Sequence, residues 1–447
     1  MNITELRVPE GPKGHWLSGN LPEFRRDRLD FLVRCARDYG DMVKLRFAHR
    51  RVYLVSHPDS IEEVLVTHSK HFIKHFALRL NPIVLGKGLL TSEGDFWRRQ
   101  RRLIQPVFLR SRITSYAPAM VTATQRLLAD WKPGEARDIH EEMMRVTLAI
   151  AAKTLFNTEV DSDAHAVSHA MAVMQNNFLE RFNSLLPLPI WIPTPANLRA
   201  RRAVRQLDAV LFRIIRERRQ SNADQGDLLS LLLHARDEDD GRGMTDQQVR
   251  DEAMTLFLAG HETTALTLSW AWYLMAQHPQ AEQKLWAELE AVLAARTPNA
   301  DDWPNLKFTE MIVLESMRLY PPAYVIGREA TADCAIGGYA VPRGTTLLMP
   351  QWVVQRDSRF FDEPEKFKPQ RWGEEKIKAL PKFAYFPFGG GPRVCIGQQF
   401  AMMEMVLILA TMAQKFRFRL QPCATVTAIP TFTLRPVPGI PGLIEPR

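Results

Sequence analysis

The chain has 447 residues, a formal net charge of +8, 46% apolar and 24% charged residues. This is the composition of an ordinary globular protein with enough apolar material for a large core, and it excludes wholesale disorder. The positive charge is spread along the chain without zinc-finger or aromatic-interleaved patterning, which argues against nucleic acid as a partner.

Residues 1–20 read as a leader stiffened by Pro9 and Pro12, and the charged residues among 1–9 break any apolar run that could act as a signal peptide or membrane anchor. Residues 23–39 carry helical periodicity that ends at Gly40. The stretches 42–47 and 51–55 alternate like a hairpin, the centre of a β-rich lobe over 40–56. Helices are predicted over 60–68, 96–107, 115–131, 139–156, 164–182 and 197–219. Between the last two, residues 186–195 cannot be helical because proline recurs every few positions. That apolar loop suits either a linker packed on the core or the rim of an entrance for an apolar substrate.

An acidic loop over 237–243 precedes Thr245 and Gln248, a capping box that starts a long helix over 246–277. Its apolar part is interrupted by His261 and Glu262, so it reads as a buried core helix and not a membrane span. Gly260 in its interior costs about 1 kcal/mol against alanine, and Thr263 can hydrogen-bond the carbonyl of Ala259. Small Ala259 and Gly260 would leave a shallow groove, beside which Glu262 and Thr263 offer a carboxylate and a hydroxyl for moving protons. A zinc-protease helix is excluded, because H-E-x-x-H needs histidine where Ala265 stands.

On the predicted helix 307–319, Glu315 shares the apolar stripe of Phe308, Ile312 and Leu319, so it should be buried and should need Arg318, one turn on, as partner. Near the C-terminal end, Phe388, Gly389, Gly390, Gly391, Arg393, Cys395 and Gly397 precede an apolar helical run over 400–413. Three glycines can adopt backbone angles closed to other residues and let a flat ligand approach the main chain. A cysteine just before a helix start has its thiolate favoured by amide N–H groups and the helix dipole. The other reading is a buried structural cysteine beside a glycine-rich turn. A phosphate cradle fails on spacing, since Val394 stands where G-x-G-x-x-G needs glycine. The four cysteines, Cys35, Cys334, Cys395 and Cys423, form no C-x-x-C pair, which argues against a zinc site or a disulfide framework and for a reducing, cytoplasmic setting.

The spacing F-x-x-G-x-R-x-C-x-G, filled by Phe388, Gly391, Arg393, Cys395 and Gly397, resembles the haem-binding signature of the cytochrome P-450 family. The stretch from Ala259 to Thr264 resembles the family's acid-alcohol helix. Glu315 with Arg318, joined by Arg371 of Phe367-Lys-Pro-Gln-Arg-Trp372, resembles its Glu-x-x-Arg network, with a structural role. The resemblance covers almost the whole chain and implies a mainly α fold with small β-sheets: one catalytic domain over 1–447, with a triangular helical body and a β-rich N-terminal lobe. It implies haem b between the long helix and the loop 388–397, with the Cys395 thiolate as the iron's axial ligand and Phe388 covering the sulfur. Gly389, Gly397, Ala259 and Gly260 would adjoin the macrocycle, and Trp97, Arg101, Arg328 and Arg393 would hold its propionates. Arg393 stands where many soluble bacterial relatives have histidine.

The implied activity is monooxygenation of an apolar small molecule such as a fatty acid or terpenoid, using O2, with Glu262 and Thr263 handling protons and with Ala259, Val325, Ile326 and Phe432 as pocket walls. With 52 residues after Cys395 there is no room for a fused reductase there, so electrons would come from a separate ferredoxin or flavodoxin with its reductase. Arg98, Arg99, Arg101 and Arg102, together with Lys376, Lys378 and Lys382, form either solvated faces or a docking surface for such an acidic protein. A peroxide-driven or rearranging haem-thiolate enzyme would keep Cys395 without needing the acid-alcohol pair. A haem sensor or carrier would bind ligand without turnover.

Overall fold

A computed structural model describes residues 6–79, 85–157, 173, 192–221, 224–422 and 425–447. The predicted helix 164–182, Cys423 and most of the apolar loop 186–195 lie outside the described residues.

Thr245 and Gln248 close a reciprocal capping box, with contacts of 3.2 and 2.9 Å, and start the helix Asp246–Gln277. The helices Ile139–Phe156, Lys307–Leu319 and Gln398–Ala413 pack against it. Ile139, Met143, Leu268, Trp272, Ile312 and Ile408 are buried together at their junction. Each such aliphatic side chain contributes about 1.5–3 kcal/mol of burial. The helix Ile139–Phe156 has the predicted limits, and both ends have a cause. Asp138 accepts the amide of His140 at 2.8 Å, and Asn157 leaves in the left-handed conformation.

Other boundaries move. The periodic stretch 23–39 is two helices, Leu21–Arg26 and Arg28–Tyr39, because Asp27 is extended and its carboxylate accepts the amide of Asp30 at 3.0 Å. The helix predicted over 60–68 starts at Pro58 and gives way to a π-turn, Glu63–Thr67. The stretch 96–107 becomes Gly94–Ile104 followed by a 3-10 turn at Pro106, which has no amide to donate. Residues 115–131 become Arg110–Ser115 and Ala117–Ala129, and 197–219 becomes Pro195–Ser221.

The β-rich lobe exceeds 40–56. The hairpin Met42–Phe47 and Arg50–Val55 is extended by Thr346–Met349, then Ile326–Ala330, then Phe72–Lys74. Arg50–Val55 runs parallel to Thr346–Met349, and the other pairings are antiparallel. Smaller sheets join Phe416–Leu420, Pro441–Pro446 and Ala136–Asp138, and pair Thr427–Pro430 with Leu434–Val437. The fold is mostly helical with small sheets. Among the described residues no helix is long and apolar enough to cross a membrane.

Behind this body, Glu315 and Arg318 are both fully buried. The Glu315 carboxylate accepts from Arg318 Nε at 2.9 Å and Nη2 at 2.8 Å, from Arg371 Nε at 3.0 Å, from Trp372 Nε1 at 2.9 Å and from the amide of Lys368 at 2.9 Å. Arg318 also donates to the carbonyls of Gln355 at 2.9 Å and Pro364 at 2.6 Å. A buried carboxylate is tolerated when its oxygens are filled in this way. The network ties the helix Lys307–Leu319 to the segment leading into the cysteine loop.

Candidate active site

The cysteine loop closes on itself through the amide of Cys395, which donates to the Phe388 carbonyl at 2.9 Å. Gly389 and Gly391 take left-handed backbone angles, φ +73° and +67°. Packing requires two of the glycines. A Cβ on Gly391 would run into the Leu65 carbonyl of the π-turn, and one on Gly390 into the Phe383 ring. At Gly389 a Cβ would stand 3.5 Å from Ile326 Cδ1, which places Ile326 beside the loop.

Gly397 caps the helix Gln398–Ala413, and the Cys395 side chain is solvent-accessible although it lies deep in the molecule. It therefore faces an internal opening. Burial raises the Cys395 thiol pKa, against opposing pulls from the Gly397 amide and the Arg101 guanidinium. The loop alone does not supply the thiolate preference expected from its helix-start position. A metal ion at the sulfur would supply it, since coordination deprotonates a thiol.

The second wall is the middle of the long helix. His261 and Glu262 are buried there, yet Ala259 is exposed, Leu258, Gly260 and Thr263 are half-buried, and nothing stands within 4 Å of where a Gly260 Cβ would lie. The Thr263 hydroxyl donates to the Ala259 carbonyl at 2.8 Å. Thr264 donates to the Gly260 carbonyl at 2.9 Å and to Glu404 Oε2, on the cysteine helix, at 3.3 Å, which fastens the two walls together. Glu262 turns elsewhere. Its carboxylate is buried and accepts from Thr433 Oγ1 at 2.7 Å and from Arg435 Nε at 2.9 Å and Nη2 at 2.5 Å. In this structure the Glu262 carboxylate is thus engaged by Thr433 and Arg435, while the Thr263 hydroxyl stays on the groove side of the helix with the Ala259 carbonyl.

Cations gather on a third side. Arg101 Nη1 donates to the Val394 carbonyl, next to Cys395, at 2.9 Å. Arg393 ion-pairs with Glu93, and its guanidinium lies 4.4 Å from the Trp97 ring centre. Arg328 is buried, and its pKa falls to about 10 through burial, with Arg393 adding repulsion. Sequence reasoning missed two members, Lys74 and Glu93. The Lys74 amide donates to Glu93 Oε1 at 2.7 Å, and its ammonium donates to the carbonyls of Leu89 at 2.8 Å and Ser92 at 2.6 Å. Burial, aided by Arg393, lowers the Lys74 pKa to about 7. Only their meeting in space reveals them; one buried lysine in a three-residue strand carries no local signal.

Of the remaining expected pocket residues, Val325 is half-buried, and Phe432 is 41% exposed at the turn before Leu434–Val437. The basic surface around Arg98 is largely neutralised. Arg98 pairs with Asp95, Arg99 with Asp237 and Asp240, and Arg102 with Asp237 and Asp239. Lys382 lies 3.8 Å from Glu62.

These residues fit a haem. Two arginines, Arg328 and Arg393, and Lys74 crowd together around the carboxylate of Glu93, with Glu252 also acting on Lys74, and Arg393 Nη1 is buried without a hydrogen-bond partner. Such a cluster is relieved by anions such as two propionates, and the sulfur faces open space.

Comparison with known proteins agrees. Residues 9–440 match the family described as Cytochrome P450. The chain is 35% identical to the cyclooctat-9-en-7-ol 5-monooxygenase of Streptomyces melanosporofaciens, over 100% of this chain and 99% of that protein. It is 36% identical to the pentalenene oxygenase of Streptomyces avermitilis, over 93% and 92% of the two chains. The crystal structure of the cytochrome P450DA heme domain superposes with a TM-score of 0.90 at 26% identity, covering 99% of this chain and 98% of that one.

Proposed function

The chain belongs to the cytochrome P450 family and is a cytochrome P450 monooxygenase, and from that premise we propose that it oxygenates a cyclic terpenoid at a haem held by Cys395. The observation that carries this reading is a deep, accessible sulfur opposite a helix whose buried run is opened at Ala259 and Gly260. Haem bound through a thiolate supplies the cleavage of dioxygen. The chain's own residues do the rest. Cys395 anchors through its sulfur, while Arg101, Arg328 and Arg393 hold the propionates. Ala259 and Gly260 would leave the space for the substrate beside the haem, with Val325, Ile326 and Phe432 at its margin.

Thr263 is the group that can hold a proton at the reacting face. Its Oγ1 donates to the Ala259 carbonyl, which leaves its lone pairs to accept a hydrogen bond, and turning the O–H about the Cβ–Oγ bond redirects its own proton from that carbonyl into the groove as it takes up another. Glu262, fixed by Arg435 and Thr433, positions the helix there. Electrons come from a separate donor protein. The substrate class rests on the relatives whose names specify oxygenation of cyclooctat-9-en-7-ol and pentalenene.

The test is spectral and then chemical. The reduced, carbon monoxide-treated protein should show the red-shifted Soret band of thiolate ligation, and Cys395→Ser should abolish it. A panel of cyclic terpenes and fatty acids is then titrated for displacement of the iron-bound water. Preference for the fatty acids would overturn the substrate class, and a thiolate band in the serine variant would overturn the ligand.

A further inference from the structure

On the face of the N-terminal sheet, the loop between Gly14 and Gly19 holds Trp16 at 80% exposure and Leu17 at 62%. This is not a slack loop. His15 and Gly19 exchange both backbone hydrogen bonds, at 2.9 and 2.8 Å. The Arg46 guanidinium donates to the carbonyls of His15 at 2.5 Å, Trp16 at 2.9 Å, Leu17 at 3.2 Å and Ala48 at 2.9 Å. The Ser18 carbonyl is taken by the Ala48 amide at 2.9 Å. His15 Nδ1 accepts from the amides of Leu17 at 3.3 Å and Ser18 at 3.4 Å.

The loop is thus stapled to the turn of the hairpin Met42–Phe47 and Arg50–Val55, with its carbonyls satisfied from within. A loop facing water needs no such provision, since water would satisfy those carbonyls. A loop entering a less polar medium does. The charge around it is predominantly positive, with Glu10, whose carbonyl accepts the Lys44 amide at 2.7 Å, and Glu23 as its acidic neighbours. Segments 13–20 and 44–51 contain Lys13, Lys44, Arg46, Arg50 and Arg51 and no Asp or Glu. Lys13, Lys44 and Arg51 are exposed.

We infer that this Trp16-Leu17 tip, with its collar of lysine and arginine, docks the protein peripherally on an anionic lipid surface. Tryptophan suits the boundary because its ring is apolar and its N–H can meet head groups, and the collar supplies attraction to anionic lipid. The tip makes a contact at the membrane surface and no span. The inference is independent of the haem reading, since it draws on none of the site residues.

The experiment is co-sedimentation of the full-length haem-loaded protein with sucrose-loaded vesicles of phosphatidylcholine, with or without 30% phosphatidylglycerol, at low and at 0.5 M salt. The expected result is binding to the anionic vesicles that is weak on neutral ones and lost at high salt. The paired variant Trp16→Ser/Leu17→Ser should lower the partition coefficient at least ten-fold, and Arg51→Gln about five-fold, the worth of one cation near such a surface. Unchanged absorption and circular dichroism will show that these surface substitutions leave the fold intact. Absence of binding by the wild type, or equal binding by wild type and paired variant, overturns the inference. So does a paired variant whose only defect is a raised KM for its electron donor, because the tip would then serve a protein partner.

Discussion

Replacing Glu315 with alanine tests whether the buried network behind the cysteine loop acts as an electrostatic unit. The carboxylate receives five donors, and its removal leaves Arg318, with no exposed surface, bonded to backbone carbonyls alone. An uncompensated buried charge of this kind costs about 3–5 kcal/mol. That is a large fraction of the 5–15 kcal/mol that typically holds a native protein together. The matched control is Glu374→Ala, which removes an exposed partner 3.5 Å from Lys307, a pair of the class worth about 0–1 kcal/mol. Urea titrations followed by far-UV circular dichroism compare the two variants with wild type, and absorbance per milligram reports retained haem. The expected outcome is a midpoint well below the control and reduced haem content, because the network holds the segment that leads into residues 388–397. If Glu315→Ala unfolds at the same urea concentration as Glu374→Ala, the account of this network is wrong.

Thr263→Ala should lower product formed per reductant consumed by about 100-fold, the lower end of what a positioned proton donor contributes; coupled turnover equal to wild type would dismiss its role. Gly260→Ala and Gly391→Ala should move in opposite directions. The first adds a methyl group in open space and gains roughly 0.5–1 kcal/mol of helix propensity, raising the melting temperature while weakening ligand titration. The second drives a Cβ into the Leu65 carbonyl from a left-handed backbone and should prevent soluble expression. Burial raises the Glu404 pKa to about 8, with Thr264 opposing. Its neutral form is therefore favoured in the folded state. Stability is full below the ordinary carboxyl range and declines as pH rises to about 8, by up to about 1.4 kcal/mol per pH unit. Glu404→Gln should flatten that slope between pH 5 and 8 in urea titrations, and an unchanged slope would exclude Glu404 as its source.

What the sequence discloses is what lies within a few residues. The cysteine loop, the capping box at Thr245 and the Glu315–Arg318 pair are local patterns, and each stands where its spacing put it. The break at Asp27 was hidden because the apolar periodicity continues across it, while a single extended residue decides it. Glu262 looked like the neighbour of Thr263 until Arg435, more than a hundred positions away, claimed its carboxylate. For the arginines near residue 100 the sequence left a solvated face and a docking surface both open, because the acidic loop 237–240 that pairs with Arg99 and Arg102 is remote in sequence. Lys74 and Glu93 joined the cation cluster for the same reason.

The pairing of Val52 with Thr346 has a temporal side. The N-terminal hairpin leaves the ribosome with one edge bare, and the strand that covers it is made about 290 residues later. At 5–20 residues per second that is a delay of roughly 15–60 s. Throughout that interval the newborn lobe is an incomplete sheet open to strangers, so yield in a foreign host should depend on chaperone supply and synthesis rate more than on the stability of the finished protein.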